Sequence, residues 1–207
     1  MNDTLSLLGL TTTPLELLSF VLALANVWLN IRQNHWAWLF AIVSSATYAG
    51  VFFSSRLYGD VGLQFVFIIA SLWGWYKWLS GSRAERKLRL SHLPPLAMII
   101  CGIGWLAAFG LLSLFLKYYT NTDVPYADGF LTAGSLIGTL LLSNKKIENW
   151  HVWIVVDVLY IALYTYKHLW LTALLYGVFV LMALAGLRAW TKDLDYDSLT
   201  PVDLRGL

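Results

Sequence analysis

Over residues 149–167 the sequence NWHVWIVVDVLYIALYTYK spaces Trp150, Trp153, Asp157, Tyr160, Tyr164 and Lys167 at steps of three and four. On a helix those steps make one continuous stripe, and Val, Ile, Leu and Ala fill the other faces. The stripe offers flat π faces, phenolic hydroxyls and one carboxylate, which together can hold an aromatic ring, hydroxyl groups and a positive charge. Asp157 falls about halfway along this apolar segment. An ionised carboxylate at the centre of a bilayer costs at least about 2.5 kcal/mol, so it needs a partner, a cavity or a ligand. The reading that involves no ligand is an interhelical hydrogen bond made by a protonated Asp157.

The composition puts this stripe in a membrane. Hydrophobic residues make up 58% of the chain and charged residues 13%, against roughly a quarter charged in a soluble domain, and the mean hydropathy is +0.64. The chain therefore reads as an integral membrane protein. Cys101 is the single cysteine, so no internal disulfide forms. His35, His92, His151 and His168 stand near the ends of apolar runs without paired ligand spacing, and no metal or cofactor is expected. Asp193, Asp195 and Asp197 imitate the start of a calcium loop, but Ser198 and Leu204 occupy its glycine and final glutamate positions. A membrane-embedded enzyme would need a second mid-membrane carboxylate, a Ser/His pair or a metal set. The sequence supplies none of these, and it is read as no enzyme and no nucleic-acid binder.

Seven apolar runs carry the chain back and forth, at about residues 14–30, 36–53, 60–79, 96–115, 128–142, 149–167 and 169–190. Each suits a hydrocarbon core of about 30 Å, which makes the fold class all-α. Ala23, Leu24 and Ala25 resemble a cleavage site, but no cationic segment precedes the first run, so it is read as retained. Residues 81–95, GSRAERKLRLSHLPP, form a charged linker. Between its ends the fourth run holds nothing more polar than Gly, Cys and Ser, plus Trp105, and reads as a lipid-facing connector. Lys and Arg concentrate in alternate connections: Arg32, then Lys77, Arg83, Arg86, Lys87 and Arg89, then Lys145 and Lys146, then Arg188, Lys192 and Arg205. The opposite side holds Arg56, Lys117 and Lys167. Positive residues stay on the cytoplasmic side, so the N-terminus is expected outside and the C-terminus in the cytoplasm.

The chain also repeats itself. Residues 57–78 laid over 169–190 without a gap pair Leu57 with Leu169, Leu63 with Leu175, Phe67 with Phe179, Gly74 with Gly186 and Trp78 with Trp190. Upstream, Asn34 and Trp38 match Asn149 and Trp153 after a three-residue shift. Helices one to three (residues 1–80) and five to seven (residues 119–190) are read as two parallel copies. Residues 81–118 supply linker and connector helix, and 191–207 a cytoplasmic tail. Parallel repeats with a site between them are a recurrent transporter plan, seen in SWEET-like proteins.

Six of the seven runs carry polar or amphipathic residues at mid-membrane, so they should enclose a volume. Its wall is expected from Asn26, Tyr48, Gln64, Thr132, Ser135, Trp153, Asp157, Tyr160, Tyr164 and Tyr176. Asp128 and Trp150 join the candidates with a second reading each. Asp128, like Asp60, begins a helix, where a carboxylate also serves as a cap; Trp150 lies near a span end and could be packing. Gln64 is equally readable as interhelical glue. Trp36, Trp38, Trp73, Trp75, Trp78, Trp105, Trp170 and Trp190 are read as interfacial anchors or packing residues. Gly134 and Gly138 form a GxxxG that would let a neighbouring helix approach closely.

Glu148, Asn149, Trp150 and Trp153, with the preceding Tyr126, Asp128, Lys145 and Lys146, and the segment LYGDVGLQFVFIIASLWGWYKW at residues 57–78 resemble the PnuC vitamin transporters over nearly the whole chain. The resemblance implies a three-plus-one-plus-three helix fold, a homotrimer in the bacterial inner membrane, and site roles for Gln64, Trp153, Asp157 and Tyr176. It implies uptake of nicotinamide riboside by facilitated diffusion, made one-way by a cytoplasmic kinase. Thiamine, another cationic heteroaromatic carried by relatives, is the alternative. A vitamin-binding membrane sensor is a further one, although no soluble effector domain accompanies the spans.

Overall fold

The structure is a computed structural model that describes residues 5–7, 10–12, 14–54, 58–80, 88–168 and 170–199. Seven helices follow one another: α1 (Pro14–Ile31), α2 (Ala37–Ser54), α3 (Tyr58–Ser80), α4 (Pro95–Tyr119), α5 (Pro125–Ser143), α6 (Glu148–Tyr166) and α7 (Trp170–Leu199). The side chain of Asp60, the basic residues Arg56, Arg83, Arg86, Lys87 and Arg205, and the Leu57–Leu169 pair lie outside the described residues.

Proline opens α1, α4 and α5. At a first helical position its missing N–H is no loss and its fixed φ is already helical. Two departures from the sequence reading stand out. A short antiparallel pair, β1 (Leu5–Leu7) and β2 (Leu10–Thr12), precedes α1, with Leu5 opposite Thr12, so among the described residues a small hairpin accompanies the seven helices of an all-α fold. The last helix also runs nine residues past Trp190 into the expected tail, because no glycine or proline interrupts residues 187–199.

The helices close a ring in the order α1, α2, α3, α5, α6, α7 and back to α1, while α4 stands outside it and packs on α5. On α4 the side chains of Leu96, Ile99, Ile103, Leu106 and Leu111 are exposed, and among its residues only Ser113 and Leu116 are buried. Residues Pro95–Tyr119 and Thr172–Tyr196 are long and apolar enough to cross a membrane by length and composition alone. The ring helices that fall short of that test carry the polar seams that face the ring's interior.

Two tryptophan-on-glycine contacts brace the ring. The Trp38 indole lies against Gly74 and meets Trp78 edge-on at 5.5 Å; the Trp150 indole lies against Gly186 and meets Trp190 edge-on at 5.3 Å. A Cβ at Gly186 would lie 2.6 Å from Trp150 Cη2, so only glycine admits the ring. The turns before these tryptophans match as well, with Gln33 at φ 51° and Lys145 at φ 50°. All four correspondences share one chain spacing, so the counterpart of Trp38 is Trp150, and the three-residue shift toward Trp153 is unnecessary. The GxxxG on α5 likewise acts differently from expectation. Gly134 and Gly138 make room for Trp105, Val156 and Trp153 side chains, and the close backbone approach occurs at Gly129, where a Cβ would lie 2.8 Å from Ser113 N.

Candidate functional site

Inside the ring is a cavity of ≈ 760 Å³. Its wall includes all eleven candidates: Asn26, Tyr48, Gln64, Asp128, Thr132, Trp150, Trp153, Asp157, Tyr160, Tyr164 and Tyr176. The stripe on α6 faces inward because its other faces are aliphatic and pack outward, with Val155, Val158 and Leu159 exposed.

Three phenol rings form one aromatic wall. Tyr160 and Tyr164, one helical turn apart, stack at 5.6 Å with 16° between planes, and Tyr176 on α7 sits 4.6 Å from Tyr160 and 5.2 Å from Tyr164. Phe179 meets Tyr176 edge-on at 5.4 Å. Asp157, one turn before Tyr160, is 5% exposed. Among the described residues it has no hydrogen-bond or ion-pair partner, so the interhelical-bond reading finds no acceptor or donor there. A desolvated carboxyl without a counter-charge, beside electron-rich ring faces, has the chemistry to hold a cation.

The facing wall supplies hydrogen bonds. On α5 the Ser135 hydroxyl donates to Leu131 O at 2.9 Å and the Thr139 hydroxyl to Ser135 O at 2.8 Å. Their donors are thus used on the helix itself; Ser135 is further engaged with the Tyr160 hydroxyl, and the Thr139 lone pairs remain for a ligand's hydroxyl or amide hydrogens. On α1 the Asn30 amide donates to Asn26 Oδ1 at 3.1 Å. Gln64, half-buried on α3, adds an amide between Leu63 and Phe67.

Asp128 sits at the mouth. It lies in the first turn of α5 and accepts a hydrogen bond from the Thr122 hydroxyl, so it serves as a helix-end group and as part of the wall. Beside it, Lys167 Nζ donates to Asp123 Oδ1 at 2.8 Å, and this contact holds the Asp123 carboxyl below the usual carboxylate range. Trp150 occupies the opposite, closed end, 2% exposed and engaged with Gly186 and Trp190; its packing role is on view there.

Sequence reasoning left Trp38 among the packing tryptophans, yet it lines the closed end beside Asn30 and Ser71. The signal that finds it is the gapless alignment with Trp150. The mouth residues Asn121 and Asp123 come from the α4–α5 loop, where no spacing announces them, and meet Lys167, the last residue of the α6 stripe, only in the fold.

The chain's similarities are consistent with this geometry. A family model described as nicotinamide mononucleotide transporter matches residues 13–192. The nicotinamide riboside transporter PnuC of Escherichia coli (strain K12) is 24% identical over 187 residues, covering 75% of this chain and 76% of that protein. The riboflavin/roseoflavin transporter RibM of Streptomyces davaonensis is 24% identical over 180 residues, covering 84% and 83%. The crystal structure of the vitamin B3 transporter PnuC superposes with a TM-score of 0.70 at 19% identity, over 88% of this chain and 82% of that one.

Proposed function

The chain belongs to the nicotinamide mononucleotide transporter family, a family of transporters and not of enzymes, and from that premise we propose that it takes up nicotinamide riboside. The carrying observation is the unpartnered Asp157 beside the Tyr160, Tyr164 and Tyr176 wall, which suits a flat pyridinium cation. The amide and hydroxyl groups of Asn26, Gln64 and Thr132 suit its ribose. Trp153, Tyr48 and Trp150 complete the contacts assigned to substrate, with Asp128 at the entrance.

The charge pattern favours the unphosphorylated riboside over its mononucleotide. Among the lining residues the one cation is Lys167, at the mouth and already bonded to Asp123. A phosphate would meet Asp128 at the mouth or Asp157 deeper in the cavity. At ≈ 760 Å³ the volume is in the range of sites for small organic ligands.

The transport mechanism is facilitated diffusion across the bacterial inner membrane, with a cytoplasmic kinase trapping the product. Helices α1–α3 and α5–α7 act as parallel three-helix repeats, and α4 returns the chain so that both point the same way. The recurring Trp–Gly–Trp contact supports this reading. The N-terminus lies outside: Arg32, Lys77, Arg89, Lys145, Lys146, Arg188 and Lys192 fall at the ends or connections that the positive-inside rule assigns to the cytoplasm. The assembly is a homotrimer, to be measured by native mass spectrometry.

Calorimetric titration of the purified protein with nicotinamide riboside, its mononucleotide, thiamine and riboflavin tests the substrate. Binding confined to nicotinamide riboside supports the proposal, and binding confined to thiamine or riboflavin replaces the substrate while leaving the cavity's role intact. Flux into liposomes separates a carrier from a vitamin-binding sensor. Accumulation driven by a proton or sodium gradient, without a kinase, would overturn facilitated diffusion.

A further inference from the structure

The cavity's two ends are built differently. At the mouth it reaches exposed Asn121 and Asp123, whereas at the opposite end it stops at buried Asn30, Trp38, Leu142 and Trp150. Beneath that floor, hydrogen bonds cross directly between α1–α3 and α5–α7. Trp78 Nε1 donates to Leu142 O at 3.3 Å and Trp190 Nε1 to Ile31 O at 3.2 Å. Each tryptophan of one group thus adds a donor to a carbonyl in the last turn of a helix in the other, where regular helical partners run out; Leu142 O also accepts from Lys145 N at 2.9 Å. Lys77 Nζ reaches Asn144 Oδ1 at 2.5 Å.

Gln33 joins three elements of this layer. Its Oε1 accepts from Lys145 Nζ at 3.1 Å, and its Nε2 donates to Asp193 Oδ2 at 3.0 Å. Lys145 Nζ also lies 5.0 Å from the Trp78 ring centroid, a cation–π contact, and burial pushes its amine below the usual lysine range. One side chain from the α1–α2 turn therefore ties the α5–α6 turn to the extension of α7. Both turns sit at left-handed backbone positions, so the two contacting loops are set by backbone geometry and not by side-chain reach alone.

We infer that Gln33 is the gating residue at the cytoplasmic end: its bonds to Lys145 and Asp193 hold the two three-helix groups together below the cavity while the mouth is open, and their release lets substrate out. This rests on the reading of the chain as an alternating carrier. Parting the groups at this end requires breaking these contacts, whereas the mouth pairs, Lys167–Asp123 and Thr122–Asp128, bond α5–α7 and its preceding loop among themselves.

The test uses the full-length protein in oriented vesicles, with Cys101→Ala removing the native thiol and Thr139→Cys reporting from the cavity wall next to the floor. A membrane-impermeant maleimide is applied to either face without substrate. Gln33→Asn keeps a residue tolerant of positive φ but is one methylene too short for its bonds. We expect it to raise labelling from the cytoplasmic face about tenfold, the population shift from losing two partly exposed hydrogen bonds, and to lower labelling from the mouth face. Lys145→Met, which breaks the Gln33–Lys145 bond from the other side, should shift labelling the same way. Unchanged labelling from both faces in either variant, if it elutes as folded protein, overturns the gate. Titrating nicotinamide riboside into the protein with its native Thr139 and Gln33 separates the two readings: absent binding refutes the substrate and leaves the labelling result standing.

Discussion

Asp157→Asn tests the central electrostatic reasoning. The substitution keeps shape and removes one charge from a position that is 5% exposed and unpartnered among the described residues. A cation held about 5 Å away, at an effective dielectric of about 20, gains roughly 3 kcal/mol from the carboxylate. Desolvating the cation and ionising the buried acid offset part of this gain, and contacts with the tyrosine faces, worth about 0.5 to 2 kcal/mol, persist in the variant. The net loss should be about 1.5 to 3 kcal/mol, or roughly 10- to 150-fold weaker binding of nicotinamide riboside. Titration of wild type and variant at neutral pH reads this directly, with the reduced dihydronicotinamide riboside, the same ligand without its ring charge, as the control, whose affinity should change less than about threefold. Thermal unfolding in detergent supplies a second control. Without substrate a buried carboxyl lacking a counter-charge avoids its desolvation cost by staying neutral, and the amide matches that acid in shape, so Tm should hold. Unchanged affinity for the cation, or an equal loss for the neutral ligand, would refute the electrostatic role and return Asp157 to a packing function.

Other outcomes follow from the same contacts. Tyr176→Leu removes the ring shared by Tyr160, Tyr164 and Phe179 and should weaken substrate binding about 3- to 10-fold by titration, the loss of one or two aromatic contacts. Gly74→Ala and Gly186→Ala each force a methyl into a tryptophan ring and should cost about 1 to 3 kcal/mol, seen as a lower Tm. Trp190→Phe keeps the edge-on contact with Trp150 but loses the hydrogen bond to Ile31 O, at about 1 kcal/mol. The Asp123 carboxyl titrates lower in the folded state than in the unfolded one. Its contribution is therefore present above the unfolded carboxylate pKa and lost as pH falls through the folded value. Asp123→Asn should flatten that small acid-side loss of Tm, and an identical acid profile in both proteins would refute the assignment.

The seven helices and the inward face of α6 were legible because membrane helices announce themselves locally. Proline starts, apolar lengths and polar stripes at steps of three and four all lie within one segment. The candidate wall was legible for the same reason, since a polar side chain on an apolar helix must turn toward a shared interior. The exceptions involve contacts between segments. Trp38 is the packing residue the sequence suggested, but its place at the closed end of the cavity was not legible because its neighbours Gly74 and Trp78 are far along the chain. The extension of α7 was hidden because Lys192, Asp193 and Asp195 read as a solvated tail, although charged residues are as compatible with helix as with coil.

By itself, the sequence determined the membrane class, the number and approximate limits of the helices, the aromatic and acidic character of the site, and the family to which those residues point. Periodicity and burial cost act within a helix, so one dimension suffices to read them. Only the tertiary structure decided that six helices close a ring with α4 outside, that the cavity opens at Asn121 and Asp123, and that Gln33, Lys145, Trp78 and Asp193 meet below its floor. Those outcomes depend on which helix packs on which, and packing is settled by contacts such as Trp150 on Gly186 that no local stretch of chain contains.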